Sequence, residues 1–404
     1  MNQRERFLTT AGFRPADRMF LLAPWAWPET IRRWRAESAE MMRPMGPESG
    51  DGVFDDAALR RMSEGLARIF RTDYEQTAPV AMQGPYGPHL VPGLPRKVLE
   101  ETPDQQVVQD EEGNIVRLFK GDALRSMPQW LRYPMADRTD WETIVKPRLD
   151  PRTEGRAPRG AALDEYARSV AERDYALGVW AGSFYGWSRS FMGVERVSVM
   201  FYDDPGLIHE MCEHISDFVI ETLKPVVARI QFDFAMIWED MAGKAGPLCS
   251  PTTYREFCLG PLKRVTDFLH SHGVHHIIVD SDGNNDVLIP LWLEAGVTGL
   301  RPFEIAAASD PVAIRRKYGK NLIIQGGIDK RALAKGKESI EREVLSKVPW
   351  LCLQGGYFPQ VDHLVPPDVS LENYAYYSQL LRAVVEAPER HLHEAMKKGY
   401  WKGG

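Results

Sequence analysis

From about residue 200 onward, short apolar runs alternate with longer stretches in which apolar residues recur every three or four positions, the pattern of successive parallel β/α units. Asp203-Asp204-Pro205 opens a helix whose buried stripe is Leu207, Ile208, Met211, Ile215, Phe218, Val219 and Leu223. A strand is predicted at 234–238, a helix at 251–272 stopping at Gly273, and a strand at 275–280. The alternation continues with a helix at 287–293, a strand at 297–300 and a helix at 310–318 that stops at Gly319. A strand at 321–325, a helix around 339–347, a strand at 350–354 and a helix at 370–385 complete the run.

Earlier apolar runs at 18–23, 78–82 and 177–181 supply three more strands, which makes the eight that close a barrel. The expected fold class is therefore α/β, a (β/α)8 TIM barrel formed by a single domain over 1–404, with an inserted β-hairpin region after the second strand. The interval of about 84–173 is too long for a β/α loop, and Asp110-Glu-Glu-Gly113-Asn114 reads as a hairpin turn between Val107-Val108 and Ile115-Val116. No internal repeat breaks the pattern, and the tail 397–404 is expected to fray.

In such a barrel, chemistry collects at the carboxyl-terminal ends of the strands. Glu239 and Asp240 follow the strand ending at Trp238; Asp280, Ser281 and Asp282 end the next; Glu304, Asp329 and Asp362-His363 follow the later ones. Polar loops are common, and Asp310 and Asp329 also suit helix N-caps, while Glu304 has Arg301 nearby as a partner. Converging carboxylates with a histidine have two uses. They can hold a metal, or they can differ in pKa so that one stays protonated as donor. His363 is the histidine placed over the last strand; His270, His272, His275 and His276 suit surface or core positions. Gln325-Gly326-Gly327 and Gln354-Gly355-Gly356 allow phosphate binding or simple tight turns. Trp25, Trp27, Phe184, Tyr185, Trp187 and Phe358 allow an aromatic-walled substrate entrance or ordinary packing.

The totals narrow the partners. A formal charge of −6 and the lack of a Lys/Arg-rich run give no field for nucleic acid. The four cysteines, Cys212, Cys249, Cys258 and Cys352, show no metal-type spacing and are expected to be reduced. With no apolar leader at 1–18 and no 18-residue apolar run, a cytoplasmic protein without a membrane partner is expected. A homodimer is compatible with the sequence.

The segments Glu239-Asp-Met-Ala-Gly-Lys244, Val279-Asp-Ser-Asp-Gly283, Arg301-Pro-Phe-Glu304, Gly326-Gly-Ile-Asp329 and Gly355-Gly-Tyr-Phe-Pro-Gln-Val-Asp-His363 resemble the uroporphyrinogen decarboxylase superfamily. The decarboxylases themselves carry an Arg-Gln-Ala-Gly-Arg segment after the first strand; here the stretch is Ala23-Pro-Trp-Ala-Trp-Pro-Glu29, without guanidiniums for a polyanionic porphyrinogen. The resemblance leans toward the corrinoid-linked methyltransferase branch. Its thiol-transferring members place His-x-Cys where this chain has Asp280-Ser281-Asp282, and a later Cys near His363. The resemblance thus implies Asp280, Asp282 and His363 as ligands of a divalent metal, zinc first, and a corrinoid carried by a partner protein.

Two activities follow as expectations. The first is a methyltransferase moving a methyl group from a small methoxylated or methylamine-like molecule to that corrinoid, with Asp282, Glu304 and His363 catalytic. Substrate would be bound by Tyr185, Trp187, Glu239, Asp240, Lys244, Arg301, Trp25 and Trp27. The alternative is a cofactor-free decarboxylase or lyase on a small carboxylic acid, held by Arg301 and Lys244, with His363 handling protons. A binding protein that kept the barrel and lost its chemistry is the non-enzymatic option.

Overall fold

The computed structural model describes residues 1–46, 56–84, 87–119, 128–401 and 403; parts of the 84–173 segment and of the tail lie outside them. Seven parallel strands form one curled sheet in chain order: β1 (Glu75–Thr77), β2 (Ala176–Trp180), β3 (Phe234–Trp238), β4 (Ile277–Asp280), β5 (Gly299–Arg301), β6 (Ile323–Ile328) and β7 (Tyr357–Val361). Helices alternate with the later strands, giving an α/β, TIM-barrel-like architecture. The local signals are those of the sequence: Asp204 caps the helix Pro205–Val227, Asp310 caps Pro311–Tyr318, and Ser370 caps Leu371–Glu386.

Three strand expectations change. Residues 350–354 lie in a helix, Val348–Gln354, and the last strand begins at Tyr357. A four-residue apolar run followed by Gln354 fits either element, and the stop is Gly355-Gly356, both at positive φ, which pack on Phe13 where a Cβ on Gly356 would overlap the ring. The second strand sits at 75–77 rather than 78–82, so the polar triplet Glu-Gln-Thr pairs and the apolar run leaves the sheet. The run 18–23 is buried but makes no ladder. Its Leu21 exchanges hydrogen bonds with Asp73 (2.8 and 2.9 Å) just before β1, and Ala23 accepts from Gln360 of β7 at 2.8 Å. It bridges the first and last strands through its own main chain, with one backbone–backbone bond to Asp73 and side-chain bonds with Asp73 and Gln360.

The lumen is packed at its lower end by Phe7, Phe20, Ala176, Phe234, Met236, Ile323 and Phe358. Phe234 needs the space beside Gly178, where a Cβ would lie 2.3 Å from its ring. Phe358 therefore belongs to the floor and not to an entrance. Between β1 and β2 stands a four-stranded antiparallel sheet, Lys97–Glu101, Gln105–Gln109, Ile115–Phe119 and Gln129–Arg132, whose central pair turns at Asp110–Asn114. Among the described residues no helix is long and apolar enough to cross a membrane.

Candidate functional site

Residues opposite one another in a parallel ladder share a face, so the register defines what looks into the lumen. Trp238, Asp280 and Arg301 stand abreast on the top row of β3, β4 and β5, and Trp180 is one row below. Arg301, 3% exposed, donates from Nε and Nη2 to Asp280 Oδ2 at 3.1 and 2.7 Å, and its guanidinium lies 4.3 Å from the Trp25 ring centroid and 6.0 Å from that of Trp180. Arg189 repeats the arrangement, with Nη2 2.7 Å from Asp240 Oδ2 and its guanidinium 5.3 Å from the Trp238 ring. Two acid–guanidinium–indole sandwiches therefore flank the opening.

Between them His363 Nε2 meets Asp282 Oδ2 at 3.1 Å, with the Trp27 ring 6.5 Å from the imidazole. Burial alone would lower the His363 pKa; the hydrogen bond and charge of Asp282 outweigh it and leave the imidazole above its ordinary value. Asp280 and Asp240 are pushed up by burial, which the facing guanidiniums only partly offset, and each feels Asp282 as a further like charge. Glu304 lies at the rim, accepting from Gly283 N (2.9 Å) and Lys330 Nζ (3.3 Å).

Several expected ligand-binding residues serve the scaffold. Glu239 is fully buried and takes hydrogen bonds from Ser183 Oγ, the amides of Phe184, Tyr185 and Gly186, and Tyr254 OH, so it anchors the start of the helix Tyr185–Met192. Tyr185 stacks on Phe201, and Trp187 packs near Phe218 while donating to Gln83; both are fully buried. Lys244 is exposed at the tip of the hairpin Ala242–Gly243/Gly246–Pro247. Arg301 pairs with Asp280, not Glu304. Asp362 is spent on the amides of Ile305 and Lys330, and Asp329 is an N-cap held by Arg331.

The metal set implied by resemblance does not assemble. Asp282 reaches His363, whereas Asp280 Oδ2 accepts from the Arg301 guanidinium. Among the described residues no three His, Cys, Asp or Glu side chains converge to hold an ion.

One group escaped the sequence reading. Glu75 pairs in register with Ala176, a lumen residue, so its carboxyl points into the barrel. Burial pushes it up to about 7 against the opposing charge of Arg301. The signal was present in an otherwise unremarked polar triplet, since an acid on the lumen face of a barrel strand has few structural uses.

Comparison with known proteins fits this geometry. The chain aligns at 23% identity over 214 residues (51% of this chain, 55% of the relative) with uroporphyrinogen decarboxylase from Legionella pneumophila, and at 28% over 163 residues (39% and 42%) with that from Shewanella loihica. It thus spans about half the length of these relatives. A solved methyltransferase from Methanosarcina mazei superposes over 95% of this chain and 98% of that one, with TM-score 0.59 and 13% identity, a likeness of fold. The uroporphyrinogen decarboxylase (URO-D) family model matches residues 126–384, more than half of the sequence, and the chain belongs to that family.

Proposed function

We propose that the protein is a methyltransferase that moves a methyl group from a small methoxylated or methylamine-like substrate to the corrinoid of a partner protein docked at the strand-end opening. The observation that carries this reading is the Asp282–His363 pair, a proton donor poised between two tryptophan-backed acid–arginine pairs. Asp240, Asp280, Asp282 and Glu304 disfavour a polyanion at the opening and suit a neutral or cationic ligand, as do Trp25 and Trp27. Transfer breaks a C–O or C–N bond, leaving the electron pair on the heteroatom. The protonated His363–Asp282 pair supplies the proton that this atom takes up, worth roughly 10²–10⁴ in rate. The URO-D family and the fold shared with a methyltransferase support the reading.

The test is incubation with reduced cobalamin and a panel of methoxyaromatics and methylamines, following methylcobalamin by absorbance. Formation with at least one donor is expected, and none with any donor contradicts the proposal. A carboxy-lyase on a small acid is the second reading. The raised His363 favours it, because a donor of that kind also protonates the carbanion left by CO2. CO2 release without methyl transfer would select it.

A further inference from the structure

We propose that the lumen beneath the opening holds the substrate by a neutral hydroxyl on an aromatic ring, with Glu75 and Gln325 as the residues that select it. The inference rests on the methyltransferase reading and narrows the methyl donor to a methyl ether of a hydroxyarene. Both residues look inward: Glu75 pairs with Ala176 and Gln325 with Phe358, and Ala176 and Phe358 belong to the lumen floor. Arg301 joins them from the top row of β5, where Nε and Nη2 are spent on Asp280 and Nη1 is left over.

These groups border open space inside the barrel. Glu75 lies deep in the protein, within reach of the Arg301 charge, yet its side chain is only half-buried and makes no hydrogen bond or ion pair with a described residue. A deep acid that keeps accessible surface faces a hollow. Gln325 is 5% exposed, neither end of its amide has a partner among the described residues, and both ends still touch open space. A carboxyl, a carboxamide and a guanidinium N–H therefore face the lumen unmet. This mixture of charges decides the ligand. A carboxylate would be repelled by Glu75, an ammonium by Arg301, and an apolar end would leave all three groups unanswered. A hydroxyl donates to Glu75 and accepts from Arg301 Nη1 or the Gln325 amide. Trp25 and Trp180, whose rings lie 4.3 and 6.0 Å from that guanidinium, give the arene an aromatic wall. With the hydroxyl held in the lumen, an ether at the far end of the ring is left toward the opening, where Asp282 and His363 meet.

Calorimetric titration of the full chain, without cobalamin, with para-methoxyphenol, methoxybenzene, para-methoxybenzoate and para-methoxybenzylamine tests this. The phenol is expected to bind at least about ten-fold more tightly than each of the other three. Glu75→Leu and Gln325→Leu, each checked for folding by circular dichroism, should erase most of the preference over methoxybenzene by weakening the phenol, whereas damage to the fold would weaken both ligands alike. No binding of the phenol, equal binding of methoxybenzene, tighter binding of either charged ligand, or a preference that either variant keeps overturns the assignment. The phenol preference without methyl transfer from any donor upholds the lumen site and overturns the methyltransferase reading alone. Methyl transfer without the preference does the reverse.

Discussion

The two ends of the barrel carry similar residues in opposite states. At the amino-terminal end Asp73 receives Arg6 Nη1 (2.7 Å), Arg18 Nη1 and Nη2 (2.6 and 2.8 Å) and the Leu21 amide (2.9 Å), and Asp233 receives Arg4, Arg173 and the Leu177 amide, each at 2.9 Å. Asp17 is held well below the usual carboxylate range by its hydrogen bonds from Arg6. At the other end, Asp240 and Asp280 each have one guanidinium, feel Asp282 as well, and are raised. Acids matched by two cations stabilise a fold. Acids crowded with too few cations store unfavourable charge, which is how titratable groups are tuned for chemistry.

The comparison breaks most sharply at Asp73. Asp73→Asn leaves two guanidiniums short of a charge in a buried site and is expected to cost about 3–5 kcal/mol in urea denaturation. At the opening, Asp282→Asn is expected to leave stability within about 1 kcal/mol, since its side chain is 37% exposed, and to lower the transfer rate by about 10²-fold or more. A stability loss there as large as at Asp73 would erase the distinction.

Glu75→Gln runs the other way. A carboxyl raised to about 7 contributes stability fully present below its unfolded value and lost as pH rises through the folded one. The variant is therefore expected to exceed the wild type by about 1–3 kcal/mol at pH 8 and to match it near pH 4, with reduced activity. A variant less stable at pH 8 would show that Glu75 is satisfied. The smallest effect concerns His363. Its charged form is favoured by Asp282, so that contribution is present below the ordinary histidine value and lost as pH rises through the raised one. An NMR titration should show the His363 pKa falling in Asp282→Asn, and an unchanged value would uncouple the pair.

Much of this was legible in the chain because periodicity reports burial. The helix opened by Asp204 and the strand Phe234–Trp238 follow from apolar spacing alone, and Asp282, Glu304 and His363 follow from strand ends. What the pattern hid depended on partners distant in sequence. Glu239 reads like Asp240, yet Tyr254 and three amides around residue 185 consume it, whereas Asp240 meets Arg189. Tyr185 and Trp187 resemble entrance aromatics, but the helix turns both into the core. Glu75 was missed because a strand of polar residues lacks the apolar signal by which strands are found.

The most direct measurement is methyl transfer to reduced cobalamin, per folded molecule, for the wild type, Asp282→Asn at the opening and Asp17→Asn at the opposite end. Turnover in the wild type, retained by Asp17→Asn and lost by Asp282→Asn without loss of fold, is the expected result. Turnover that survives Asp282→Asn, or depends on Asp17, would place the chemistry elsewhere and contradict the assignment.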